Sequence, residues 1–177
     1  SVREGYKGTI VQLGTDSRRT SSDTPFGLAN KYAAALNLYS AQELGSGSKN
    51  IVKAVWPYDA SWQYKDANDL PVRVYMANTD RTNNLEGWIP ENEMTLVYDG
   101  TISIPKNTKG EVAVELTTPF AYQNGKNLAV LTVVHTDQNL QSTYFYAYKS
   151  PLDENCSFYW GYRYTEEWFN FTQVGAK

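Results

Sequence analysis

The chain has 177 residues, a net charge of -3 from 16 basic and 19 acidic side chains, and 14% aromatic residues that include 14 Tyr and 5 Trp. The two charge signs are interspersed, so no basic field exists to attract a phosphate backbone and nucleic acid is excluded as a partner. No apolar run approaches the roughly 18 residues of a membrane span, no signal-peptide pattern opens the chain, and the single Cys156 rules out an internal disulfide.

In chain order, residues 9–13 read as a first strand and the polar stretch 16–24 as a loop. Segment 28–44 carries two conflicting periods. Leu28, Tyr32, Leu36 and Tyr39 have helical spacing in an Ala-rich context, whereas Tyr32, Ala34, Leu36 and Leu38 share one strand parity. Strands are expected over 51–56 and 72–76. Over 94–104, Met94, Leu96, Tyr98, Ile102 and Ile104 share one parity against Thr95, Asp99, Thr101 and Ser103, and only Val97 breaks the alternation. Val112, Val114 and Leu116 then oppose Glu111 and Glu115, and with a turn at 106–110 the two strands form a hairpin with one wet face. Residues 128–134 are apolar except Thr132, the pattern of an inner strand covered on both faces. Further strands are expected over 144–148, 158–164 and 168–174. The pattern is all-β and antiparallel, and a chain of this length buries a substantial core as one domain over 1–177.

Catalytic constellations are absent from the pattern. His135 is the only histidine and has no Ser or Cys at a recognisable nucleophile position, and the Gly-Ser-Gly-Ser run at 45–48 lacks the strand, turn and helix of a nucleophile elbow. Glu86, Glu91, Glu93, Glu166 and Glu167 supply acids without a spacing that sets two across a cleft, and no Cys/His spacing suits zinc. No enzyme is expected. Calcium takes oxygen ligands from carboxylates, amides and carbonyls. Asp66, Asn68 and Asp69 form one such cluster, Asp80 with Asn83 and Asn84 a second, and Asp153 with Glu154 and Asn155 a third; turn chemistry explains each equally well.

Two aromatic features suit ring stacking on sugars, because flat ring faces offer apolar area at low entropy cost. Phe158, Trp160, Tyr162 and Tyr164 share one strand face, which either forms a platform or faces the core. If strands alternate in direction from residue 51 onward, loops 57–70, 105–110, 135–142 and 165–167 gather at one end and loops 77–93, 117–126 and 149–157 at the other. The first end then holds Trp62, Tyr64 and Trp168 near Asp66, Asn68 and Asp69, and the second holds Trp88. Trp62, Tyr64 and Trp168 are the candidate ligand-binding residues, with Trp88 the alternative. The competing reading turns Trp62 inward as a plug for the open end.

Several of these stretches together resemble a known type of module. Val74-Tyr75-Met76 followed by Asn78-Thr79, then Trp88, the run Thr95-Leu96-Val97-Tyr98-Asp99-Gly100, and Pro119-Phe120-x-Tyr122-x-x-Gly125-x-Asn127-Leu128 are similar to secreted and cell-surface modules of Bacteroidetes. These modules are similar to the cleaved-adhesin domains of gingipain proteases, and the resemblance extends upstream to the Tyr-rich run from Tyr32 to Leu44. Ala77 and Leu85 depart from the pattern, where Gly and an aromatic are usual. The resemblance implies a β-sandwich of jelly-roll type, strand rather than helix in segment 28–44, and a secreted or surface location within a larger protein. It also implies adhesion or ligand binding without catalysis, the ligand being a glycan or a host protein, and it strengthens the case for calcium. The alternative function is a structural accessory domain that packs against the catalytic domain of a larger secreted enzyme.

Overall fold

The computed structural model describes residues 8–14, 18–21, 24–28, 30–136, 143–147, 150–152 and 155–162. Among the described residues its strands are β1 (Arg18–Ser21), β2 (Tyr32–Tyr39), β3 (Lys49–Ala60), β4 (Ala67–Thr79), β5 (Thr95–Ile104), β6 (Thr108–Tyr122), β7 (Asn127–His135), β8 (Tyr144–Ala147) and β9 (Ser157–Tyr162), with one α-helical turn, α1 (Ala41–Leu44), and a 3-10 turn at Glu91–Glu93. They form two antiparallel sheets, ordered β1-β8-β3-β6 and β5-β4-β7-β2-β9. The pairings nest. The β4–β5 hairpin is enclosed by β3–β6, then β2–β7, then β1–β8, and successive pairs fall alternately in the two sheets. The architecture is an antiparallel β-sandwich.

Strand β7 lies between β4 and β2, and its run from Leu128 to Val134, apolar except Thr132, is buried throughout. Its side chains enter two different apolar clusters. Val130 and Val134 face the sandwich interior with Val72, Val74, Val112, Val114 and Phe120, while Ala129, Leu131 and Val133 meet Leu36, Tyr75, Trp88 and Ile89 on the outer face of the five-stranded sheet. Each large side chain buried this way contributes about 1.5–3 kcal/mol. The one polar member, Thr132, donates its hydroxyl to the carbonyl of Pro25.

Segment 28–44 divides between its two periods. Residues 32–39 are a strand because β7 and β9 pair with it on either side and both of its faces are buried. The helical signal survives only after Ser40, whose hydroxyl accepts from Glu43 N at 3.1 Å while the Glu43 carboxylate accepts from Ser40 N at 2.9 Å. Gly45, at φ 77, ends that turn.

Four expectations need correction. The strands over 94–104 and 112–116 do not form a hairpin: β5 pairs with β4 in the five-stranded sheet and β6 with β3 in the four-stranded one, so the turn between them crosses from one sheet to the other. Residues 9–13 pair with no strand; Ile10 is 91% exposed, and strand propensity has no effect without a half-buried surface to pack on. The polar stretch 16–24 contains β1, a four-residue edge strand on β8 that needs no apolar alternation. In β5 the register passes from Val74 opposite Tyr98 to Tyr75 opposite Leu96, which leaves Val97 as the extra residue of a bulge. Val97 therefore turns into the core and Leu96 to solvent, the reverse of the parity expected from sequence.

Tyr39, at the end of β2, gives this core a pH limit. Burial of its phenol is the main cause that pushes its pKa up to about 12, with Glu43 adding to the rise and a hydrogen bond with Trp56 opposing it. The fold favours the neutral phenol, so this contribution is complete below pH 10, the unfolded value, and is lost as pH rises from 10 toward 12. Alkaline unfolding followed by circular dichroism is expected to set in within that window and to move to higher pH in Tyr39→Phe. An unchanged alkaline limb in the variant would remove Tyr39 from the explanation.

Candidate functional site

The connection 61–66 between β3 and β4 is built from its buried ends outward. Asp59, 6% exposed, accepts from Ser61 N at 3.0 Å and from the Ser61 hydroxyl at 2.6 Å, which turns the chain as it leaves β3. Gln63 N donates to Ala60 O at 3.0 Å. The Gln63 side chain then points inward and is 1% exposed. Its Nε2 donates to Lys65 O at 2.8 Å and to Ile104 O at 3.2 Å, and its Oε1 accepts from the Thr143 hydroxyl.

The neighbouring loop completes the support. Asn107, in the left-handed region at φ 52, donates its backbone N–H to Gln63 O at 3.1 Å. Its side-chain amide, oriented by the carbonyls around it, donates to Ser61 O and Gln63 O, each at 3.1 Å. Asp66 Oδ1 accepts from Lys106 N at 2.9 Å.

With Gln63 directed inward, both of its neighbours are directed outward. Trp62 is 71% exposed and Tyr64 75% exposed, and Lys65 Nζ lies 5.8 Å from the Tyr64 ring centroid. Trp62 is therefore not the plug of this end; Gln63 is. Sequence reasoning passed over Gln63, although a polar residue between two aromatics in a loop is the one signal that could have marked it.

Among the described residues the loops sort to the two ends as expected, while 137–142 and 165–167 lie outside them. Gln63 joins 61–66 to 105–107 and to Thr143 at one end. At the other, Asn78 Nδ2 donates to Ala121 O at 3.0 Å, Asn84 N to Asn155 O at 2.7 Å, and Lys126 Nζ to Asp80 Oδ1 at 2.9 Å. Trp88 belongs to that second end and is only 5% exposed, packed in the outer cluster, so it presents no ring face to solvent. Trp168 and Tyr164 lie outside the described residues. Register sets Phe158, Trp160 and Tyr162 opposite Leu36, Ala34 and Tyr32.

The single histidine is engaged within the sheet. The His135 ring stacks on Tyr32 at 4.2 Å between centroids, with Nε2 2.5 Å from the Tyr32 hydroxyl. Of the calcium candidates, Asp66 closes a turn with Lys106, and Asp69, at φ 51, sits in a register shift of β4 where its backbone N–H donates to Ser103 Oγ at 3.0 Å. Asn68 is exposed beside it. Among the described residues no group of three or more His, Cys, Asp or Glu is placed to hold a metal ion, and no helix is long and apolar enough to cross a membrane.

No protein-family model matches the chain, and no curated protein matches it. Among solved structures it is similar to the crystal structure of the cysteine protease and lectin-like domains of a surface layer associated protein of Clostridium difficile, with a TM-score of 0.42 and 14% identity. The likeness covers 73% of this chain and 26% of that one, so the chain spans about a quarter of its length. A match this distant says nothing about ligand or partner, and the resemblance to gingipain adhesin modules gains no support from it.

Proposed function

We propose that the chain is a non-catalytic carbohydrate-binding module of a secreted or cell-surface protein, and that the connection 61–66 carries its binding surface. The observation behind this reading is the ring pair: Trp62 and Tyr64 stand in water at 71% and 75% exposure on either side of an anchored Gln63. Large rings held open to solvent are suited to the apolar faces of sugars, and the exposed Asn68, Asp69 and Lys106 supply polar groups for hydroxyls at the same end. Two rings flanking a single residue offer area for one or two adjoining sugar units rather than a long polymer. The nested strand pairing supports reading the sandwich as a jelly roll.

The other reading, an accessory domain that docks on a larger enzyme or a host protein, calls for a broad apolar patch. Among the described residues the large exposed apolar side chains are Ile10, Val11, Val55, Leu85 and Leu96 besides the ring pair. Val55 lies on β3 and Leu96 on β5, in different sheets, Leu85 in the connection between β4 and β5, and Ile10 and Val11 outside the strands, a scatter that favours a glycan.

Calorimetric titration with oligosaccharides of one to six units tests the reading. Binding is expected at a Kd of about 0.1–1 mM, or roughly -5.5 to -4 kcal/mol, with affinity rising from one unit to two and then levelling. The same titration in EDTA shows whether calcium contributes. Failure to bind any glycan at millimolar concentration would overturn the assignment, as would turnover of a peptide, ester or glycoside that His135→Ala abolishes.

A further inference from the structure

We propose that Gln63 is the positioning residue of this binding surface, holding the Trp62 and Tyr64 rings in their binding arrangement before any ligand arrives; this rests on the glycan-binding reading above. The inference follows from what one buried side chain does. The end of the sandwich buries the carbonyl of Ile104, which needs a donor there, and half-buries that of Lys65. An apolar plug would leave Ile104 O without this donor. A glutamine amide supplies two N–H groups and one acceptor, and all are used: Nε2 on Lys65 O at 2.8 Å and Ile104 O at 3.2 Å, Oε1 on the Thr143 hydroxyl. The backbone of the same residue is tied at both of its polar atoms, N–H to Ala60 O at 3.0 Å and O to Asn107 N at 3.1 Å.

One residue thus joins the ends of β3, β5 and β8 and the connection 61–66. It lies between Trp62 and Tyr64 in sequence, so these bonds fix the backbone from which both rings project. A surface organised in advance loses less conformational entropy on binding, and for a weak ligand that saving is a large share of the affinity. Gln63 itself, 1% exposed, touches no ligand.

The experiment compares wild type with Gln63→Met, Thr143→Val and Trp62→Ala, using a neutral disaccharide as probe. Gln63→Met keeps the length and removes the amide, and it is expected to weaken binding about tenfold through a less favourable entropy. The heteronuclear NOE of the Trp62 indole N–H should fall in the unliganded variant, a change that a merely stabilising residue elsewhere in the core would not produce. Thr143→Val removes one of the three side-chain bonds from a residue that is itself 1% exposed, and a loss of about twofold to threefold is expected. This milder variant carries the test if Gln63→Met does not fold. If Trp62→Ala abolishes binding while Gln63→Met and Thr143→Val bind as wild type, the positioning role is wrong and the ring surface stands. If Trp62→Ala binds unchanged, the ring surface is wrong and the positioning role falls with it. An indole NOE that stays at the wild-type value in Gln63→Met also overturns the positioning role, whatever the titrations show.

Discussion

Trp88→Ala is expected to destabilise the chain by about 3–5 kcal/mol, the cost of truncating a large buried aromatic where the surroundings cannot close in. The surroundings here are fixed by polar anchors. Arg81 Nη1 donates to Gly87 O at 2.6 Å, and Asn84 donates its backbone N–H to Asn155 O at 2.7 Å and its Nδ2 to Leu36 O at 3.1 Å and Cys156 O at 3.2 Å. These bonds hold the 80–94 connection above the outer face of the five-stranded sheet while Trp88 and Ile89 fill the space beneath it. With the ring removed, Leu36, Tyr75 and Leu131 lose their cover and the connection cannot drop to replace it. Urea unfolding reads the loss directly, and the melting temperature should fall by roughly 6–20 °C. A loss under about 1 kcal/mol would mean that the connection lies loosely over the sheet, and that the second cluster is not a working part of the core. Glycan affinity, read at the opposite end, should not change.

Trp62→Ala is expected to do the opposite, removing binding while leaving stability within about 0.5 kcal/mol of wild type. A ring that is 71% exposed has little burial to lose, and the bonds that shape its loop are made by Gln63, Asp59, Asn107 and Asp66 rather than by the indole. An aromatic at the centre of a small binding surface typically contributes about 2 kcal/mol, near thirtyfold in Kd. From a Kd of about 0.1–1 mM that loss raises it to roughly 3–30 mM, above the range a calorimetric titration at millimolar ligand reads. Tyr64→Ala should weaken binding by a smaller factor, since its ring offers less area and already has Lys65 Nζ 5.8 Å from its centroid. A Trp62→Ala chain that unfolds would assign Trp62 to the structure, and one that folds and binds undiminished would move the binding surface elsewhere on the molecule.

The contrast between these two tryptophans shows where sequence stops being informative. Both lie in polar connections between strands, and nothing within a few residues of either one separates a ring held in water from a ring 5% exposed. The difference lies beneath them. Trp88 lies over a sheet face lined by Ala34, Leu36, Ala129 and Leu131, whereas Trp62 lies over strand ends whose carbonyls require a donor, a place taken by Gln63. The same limit applies to Val97. Alternation along β5 predicts that it faces out, but a bulge is a property of two strands in register, and only the step from Val74–Tyr98 to Tyr75–Leu96 reveals the extra residue.

Sequence alone determined the features that depend on neighbours along the chain. The period-two pattern of Val112, Val114 and Leu116 against Glu111 and Glu115 required a strand with one wet face, and the run 128–134, apolar except Thr132, required a strand covered on both. Those patterns specify an antiparallel sandwich with an inner β7 before any contact is known, because burial repeats with the geometry of the extended chain. The tertiary structure alone decided which partner resolved the conflict in 28–44, what covered the second face of β7, and which aromatics stayed in water. Each of these depends on residues distant in sequence: β7 and β9 beside Tyr32–Tyr39, Trp88 over Leu131, and Thr143 and Ile104 on the Gln63 amide. A side chain's environment is set by what packs across from it, and a linear sequence carries that information only where the partner is also its neighbour.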